Sequence, residues 1–162
     1  MIWDVNLEGQ PLSQGDVLKD CPIIVWENAN EGRVLFERRE RTIVLTQACD
    51  LAQSKAARVT VAVVHDAQTL VDRGVLKSKL IRDQVRAHRV YGWYFLPTES
   101  GLPELLVDLR NLHTLPRALL EELIAEGKRV ARLVTPFREH MAQHFATTYA
   151  RIALPEPYET QP

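Results

Sequence analysis

Arg33, Arg38, Arg39 and Arg41 fall within nine positions, and a guanidinium holds a phosphate through two parallel hydrogen bonds. Glu31, Glu37 and Glu40 are interleaved with them, so the stretch also reads as a solvated hairpin edge paired with itself. A second basic run holds Lys77, Lys79, Arg82, Arg86 and Arg89, with Asp83 as its one acid. On a helix Arg82, Arg86 and Arg89 share a face, and Tyr91, Trp93 and Tyr94 follow at once. Positive charge beside stacking rings suits single-stranded nucleic acid. A solvated helix ahead of a core strand accounts for the same residues.

Two further sets carry chemistry. Cys49, next to Asp50 at the end of a strand-like run, becomes a nucleophile if His65 lies close enough to lower its pKa. The plainer reading is a small hydrophobe. His140 and His144 stand four apart on a helix, a spacing that suits a metal ion. The pattern is Glu-His-Met-Ala-Gln-His, without the His-Glu-x-x-His order or an obvious third ligand. We therefore expect no metal and no cofactor, with the pair flanking a core stripe.

The rest of the chain must position these groups. Its 162 residues suffice for one packed core, and a hydrophobic fraction of 46% supports one. A net charge of -1 exerts no global pull on nucleic acid, so any such site has to be local. Cys21 and Cys49 form no CxxC pattern, which excludes a zinc ribbon and a disulfide framework. No signal peptide or membrane-length apolar run is visible, so the cytoplasm is the expected address.

Residues 1–20 are turn-rich. Short strands are expected over 22–26 and 34–36, around a turn at Asn28–Gly32, and then over 42–46 and 58–64. Apolar residues at three- to five-residue steps predict helix over 67–88, broken at Gly74. Strands follow over 90–96 and 105–112. Pro116 opens a helix that Gly127 stops, and Thr135-Pro136 opens another with Phe137, Met141 and Phe145 as its core stripe. The expectation is a single domain over 1–154 with a loose tail at 155–162. Its class is α+β, a small antiparallel barrel with a helical insertion and C-terminal helices.

These segments resemble the bacterial toxin family of PemK, Kid and MazF. Gln14-Gly15-Asp16-Val17 is similar to that family's opening Gly-Asp-Ile strand, and Arg41–Thr46 to its Arg-Pro-Val-Leu-Val-Leu-Ser strand. Val59–His65 resembles the strand that follows, and Leu106–Leu112 the later segment before a C-terminal helix. The resemblance implies an SH3-like barrel, usually dimeric, that cleaves single-stranded RNA without metal and is held by an antitoxin. It places the catalytic pair at Arg41 and His65, the latter where the family carries Thr or Ser. Arginine would hold the phosphate and histidine would move the proton. Arg39, Lys79, Arg82, Arg86 and Arg89 would bind the strand. A second resemblance, to bacterial proteins with a Thr/Ser-x-x-Cys-Asp strand end like Thr46–Asp50, implies no activity. The alternative expectation is a non-catalytic barrel that docks nucleic acid or protein in a bacterial regulatory or defence complex.

Overall fold

The computed structural model describes residues 1–53 and 55–150; the expected tail at 155–162 lies outside them. Two runs rich in β-branched residues form the centre of the sheet. β3 (Gly32–Val44) and β4 (Arg58–Asp66) pair antiparallel, with Thr42 opposite Val63 and Val44 opposite Val61. Around them lie β1 (Trp3–Asp4), β2 (Asp16–Ala29), β5 (Trp93–Leu96), β6 (Leu105–Pro116) and β7 (Arg129–Leu133). The order is β1-β7-β2-β3-β4-β6-β5, antiparallel throughout.

The period-two alternation of these strands divides the core. Ile43, Ala62 and Val64 point to a cluster that also takes Trp3 from β1 and Tyr94 and Leu96 from β5. Residues from both edges thus meet in one core, so the sheet is strongly bent. No ladder joins β1 to β5, and the expected closure into a barrel is not made. The Glu99 carboxylate instead accepts a hydrogen bond of 2.7 Å from the Ile2 amide across that gap.

Val44, Val59 and Val61 face the other way. They pack with Leu18, Ile23 and Leu51 under Leu120 and Leu123 of α4 (Arg117–Ala125). α4 starts after Pro116 and stops before Gly127, which has a φ of +74° that suits glycine. Leu51 belongs to a short helix, α1 (Ala48–Ala52).

The helical stretch expected over 67–88 forms in pieces. α2 (Ala67–Asp72) and α3 (Ser78–Leu80) are separated at Gly74, and α3 runs into a π-helical turn, Ile81–Val85. Ala67, Leu70, Ile81 and Val85 pack on Leu106 as a third cluster.

β7 was not expected from the sequence. Its arginines grip Asp16, which is fully buried: Arg129 at 3.0 Å, and Arg132 through two bonds of 2.5 and 3.1 Å. Arg129 also donates to the carbonyls of Leu7, Gln10 and Pro11, which ties the N-terminal loop to the sheet. Finally α5 (Phe137–Ala150) lays Met141, fully buried, on the first cluster.

Candidate functional site

The expected catalytic pair is not assembled. Arg41, at the root of the sheet's longest hairpin, is ion-paired with Asp66. His65 is the neighbour of Asp66 in β4, so its side chain leaves by the opposite face. There its ring lies 6.3 Å from that of Trp93. A phosphodiester held by Arg41 would have the sheet between it and His65.

Cys49 and His65 are also apart. Thr46, three residues before Cys49, accepts a hydrogen bond from the Thr60 amide. His65 lies five residues further along β4, about 16 Å at the rise of a strand. The Cys49 thiol is exposed, with Gln47 and Asp50 as its nearest polar neighbours.

The basic helical face is reorganised by the π turn, in which Arg86 and Arg89 donate their amides to Ile81 and Gln84, five residues back. The α-helical spacing that would align Arg82, Arg86 and Arg89 is therefore lost. Arg86 pairs with Glu104 and sits 5.3 Å over the Phe95 ring; Arg82 pairs with Asp83. Lys79 and Arg89 remain exposed. The aromatics do not form one platform, because Trp93 and Tyr94 alternate across β5 and Tyr94 is buried in the first cluster.

His140 and His144 lie in a packed cluster of rings. They meet Tyr94 and His88 where α5 crosses β5. Tyr94 Oη lies 2.8 Å from His140 Nδ1, and His144 Nε2 donates to the carbonyl of Trp93 at 3.1 Å. His88 has a φ of +52°, and its ring stacks on Tyr94 at 4.5 Å and meets His140 edge-on at 4.9 Å. Burial, and then His140 and His144, push its pKa down to about 4, while burial pushes Tyr94 up to about 12. Neither group exchanges a proton readily at neutral pH. No group of three or more metal-ligating side chains comes together among the described residues. Sequence reasoning missed His88 and read Tyr94 as a stacking ring, because their packing depends on a left-handed turn and on a helix some fifty residues away.

What remains is the hairpin itself. β2 and β3 pair from Val17–Ile43 out to Ala29–Gly32. β7 covers β2 only over Asp16–Leu18, and β4 covers β3 only over Thr42–Val44. Beyond Cys21 and Glu40 the hairpin is a two-stranded arm.

Most of the arm has no core to pack against. Ile23 is buried under α4, but Trp26 is 70% exposed, Leu35 51%, Ile24 50%, Phe36 44% and Val34 38%. Trp26 stands directly opposite Leu35, and Val25 opposite Phe36, so both faces carry apolar surface. The charges largely answer one another: Arg38 pairs with Glu27, and Arg39 with Glu37 at 3.3 Å. Between Cys21 and Arg41 there are four acids and four arginines, which leaves the arm neutral. Trp26, Glu27, Asn28 and Arg33 line an open groove of about 360 Å³ near its tip. A second groove of about 550 Å³, lined by Ile24, Glu37, Arg58 and Leu119, lies at its base.

No protein-family model matches this chain, and no curated protein matches it. The arm therefore has to be read from its own chemistry. Contiguous exposed apolar surface of this kind marks a contact site. Tryptophan and arginine are among the residues most enriched in the energetically dominant centres of protein interfaces. The sequence signal for it was present in the apolar residues on both sides of the Asn28–Gly32 turn. What that signal lacked was any sign that no third strand would cover them.

Proposed function

We propose that this protein is a non-catalytic binding module whose β2–β3 arm docks another polypeptide. The observation that carries the reading is the set of five large apolar side chains left in solvent on an electroneutral ribbon. A nucleic-acid arm would need an excess of positive charge to displace counterions, and this one has none. Burying Trp26 alone would remove some 150–250 Å² of ring surface from water. An SH3-like path of the chain, with the sheet bent but left open, belongs to the same proposal. Its support is the single core shared by β1 and β5.

The endoribonuclease that the toxin resemblance implies has no comparable support, because Arg41 is held by Asp66 and His65 turns to Trp93. A photoactivatable residue in place of Trp26 or Leu35, in the full chain inside the cell that makes it, tests the proposal. The expected result is a covalent adduct with a polypeptide, absent when the same residue replaces exposed Val5. Adducts with RNA alone, or equal labelling from all three positions, would overturn it.

A further inference from the structure

Resting on that reading, we propose that the polypeptide docked by the arm is a second copy of this chain, joined through antiparallel pairing of the two β2 edges. The two open edges of the arm differ. Along β3, Arg33, Glu37, Arg38, Arg39, Glu40 and Arg41 put six charges into nine residues. Charged side chains of this kind keep an open strand from pairing. Along β2, Cys21–Ala29 (Cys-Pro-Ile-Ile-Val-Trp-Glu-Asn-Ala) holds one charge, Glu27. Arg38 already neutralises Glu27 across the hairpin. The guarded edge is β3 and the unguarded one is β2. Pro22 is the one residue in this stretch of β2 without an amide to offer, and it sits at the stretch's inner end.

Symmetry selects the partner. A twofold axis normal to the ribbon sets each β2 residue opposite one of the same face in the other copy. Pro22, Ile24, Trp26 and Asn28 therefore meet the same set, all uncharged, in any such alignment. With Val25 on the axis, Ile24 of each copy lies opposite Trp26 of the other, an aromatic and β-branched pair formed twice. Val25 then lies opposite itself and Ile23 opposite Glu27. No like charges meet. The pairing also gives partners to the outward amides and carbonyls of β2, which β7 does not cover beyond Leu18. β2 thus complements itself in charge, face and hydrogen bonding, and a self-complementary edge makes a closed dimer rather than a fibre.

Sedimentation of the full chain over a range of concentrations tests this. Wild-type protein should be a dimer. Ile24→Lys and Trp26→Lys together set like charges opposite one another twice and should weaken it about a hundredfold or more, with the unfolding transition of the monomer unchanged. In a Cys49→Ser background, single cysteines at 24, 25 and 26 should form an intermolecular disulfide fastest at the position on the axis. A monomer at every concentration overturns the second copy as partner, and so does a dimer indifferent to both substitutions. In either case a polypeptide adduct at position 26 would still uphold docking by the arm, so the two failures are separable.

Discussion

The β2–β3 arm and the seat of α5 place their side chains in opposite ways. On the arm a tryptophan is 70% exposed; on the inner face of α5 a histidine, His144, is only 8% exposed. Apolar surface lies in water at one place, and titratable rings are packed away at the other. Exposed apolar groups contribute nothing to the folded monomer that they lack in the unfolded chain, so their changes are felt in association. Buried rings contribute area and contacts on folding, so their changes are felt in stability and, for histidine, in its dependence on pH.

The largest separation of the two should come from Tyr94 and Trp26. Tyr94 is 2% exposed, and Tyr94→Ala opens the first cluster beneath α5. Aromatic truncations in a core cost about 3–5 kcal/mol. Trp26→Ala, at a similar loss of ring, should leave the monomer within about 0.5 kcal/mol of wild type. Chemical denaturation, run on the Ile24→Lys background to hold both proteins monomeric, measures the difference. Equal losses would mean that the arm packs against its own domain, and the comparison would break.

A smaller effect separates the regions by pH. His88 binds its proton at about 4 in the folded protein against 6.5 for the free side chain. Between those values the unfolded chain holds more protons, so stability falls as pH drops from 6.5 towards 4 and His88 adds no further loss below. A shift of that size corresponds to a little over about 3 kcal/mol, and water at the half-buried ring lowers the loss to roughly 2–3 kcal/mol. The groups that face His88 are His140 and His144 from α5 and Tyr94 from β5, with Tyr91 stacked behind His144. His88→Asn keeps a residue that accepts the left-handed φ but removes the proton site. Its unfolding free energy should start lower at pH 7 and decline less steeply to pH 4.5. An unchanged slope would mean that His88 is not the source of the effect.

Which of these features the sequence discloses follows from whether a buried face imposes a pattern. Thr42–Thr46 and Arg58–Val64 are readable as strands because β-branched residues fill both faces of a central ladder. α4 is readable because Pro116 and Gly127 bracket it. The arm is readable only as two short strands and a turn. Glu37–Arg41 looks like a charged loop because a two-stranded ribbon has no covered side to enforce alternation. β7 is hidden for a different reason: Arg129 and Arg132 interrupt its apolar pattern, and their partner Asp16 lies more than a hundred residues away. The Arg41–His65 expectation fails on parity alone, since the two sit in neighbouring strands but leave by opposite faces.

Arg41 marks where the arm joins the sheet, and it should give the smallest change. Its guanidinium is 28% exposed and its partner Asp66 is 41% exposed, so water can solvate either group once the other is gone. A pair of that exposure contributes less than about 1 kcal/mol. Arg41→Ala should therefore lower stability by no more than that, leave association through β2 intact, and leave RNA handling without metal as it is in wild type. The last outcome has a sharp alternative. If wild-type protein cleaves single-stranded RNA and Arg41→Ala abolishes the cleavage, Arg41 must leave Asp66 to act. The root of the arm would then be an active site rather than a hinge between an inert sheet and a docking strand.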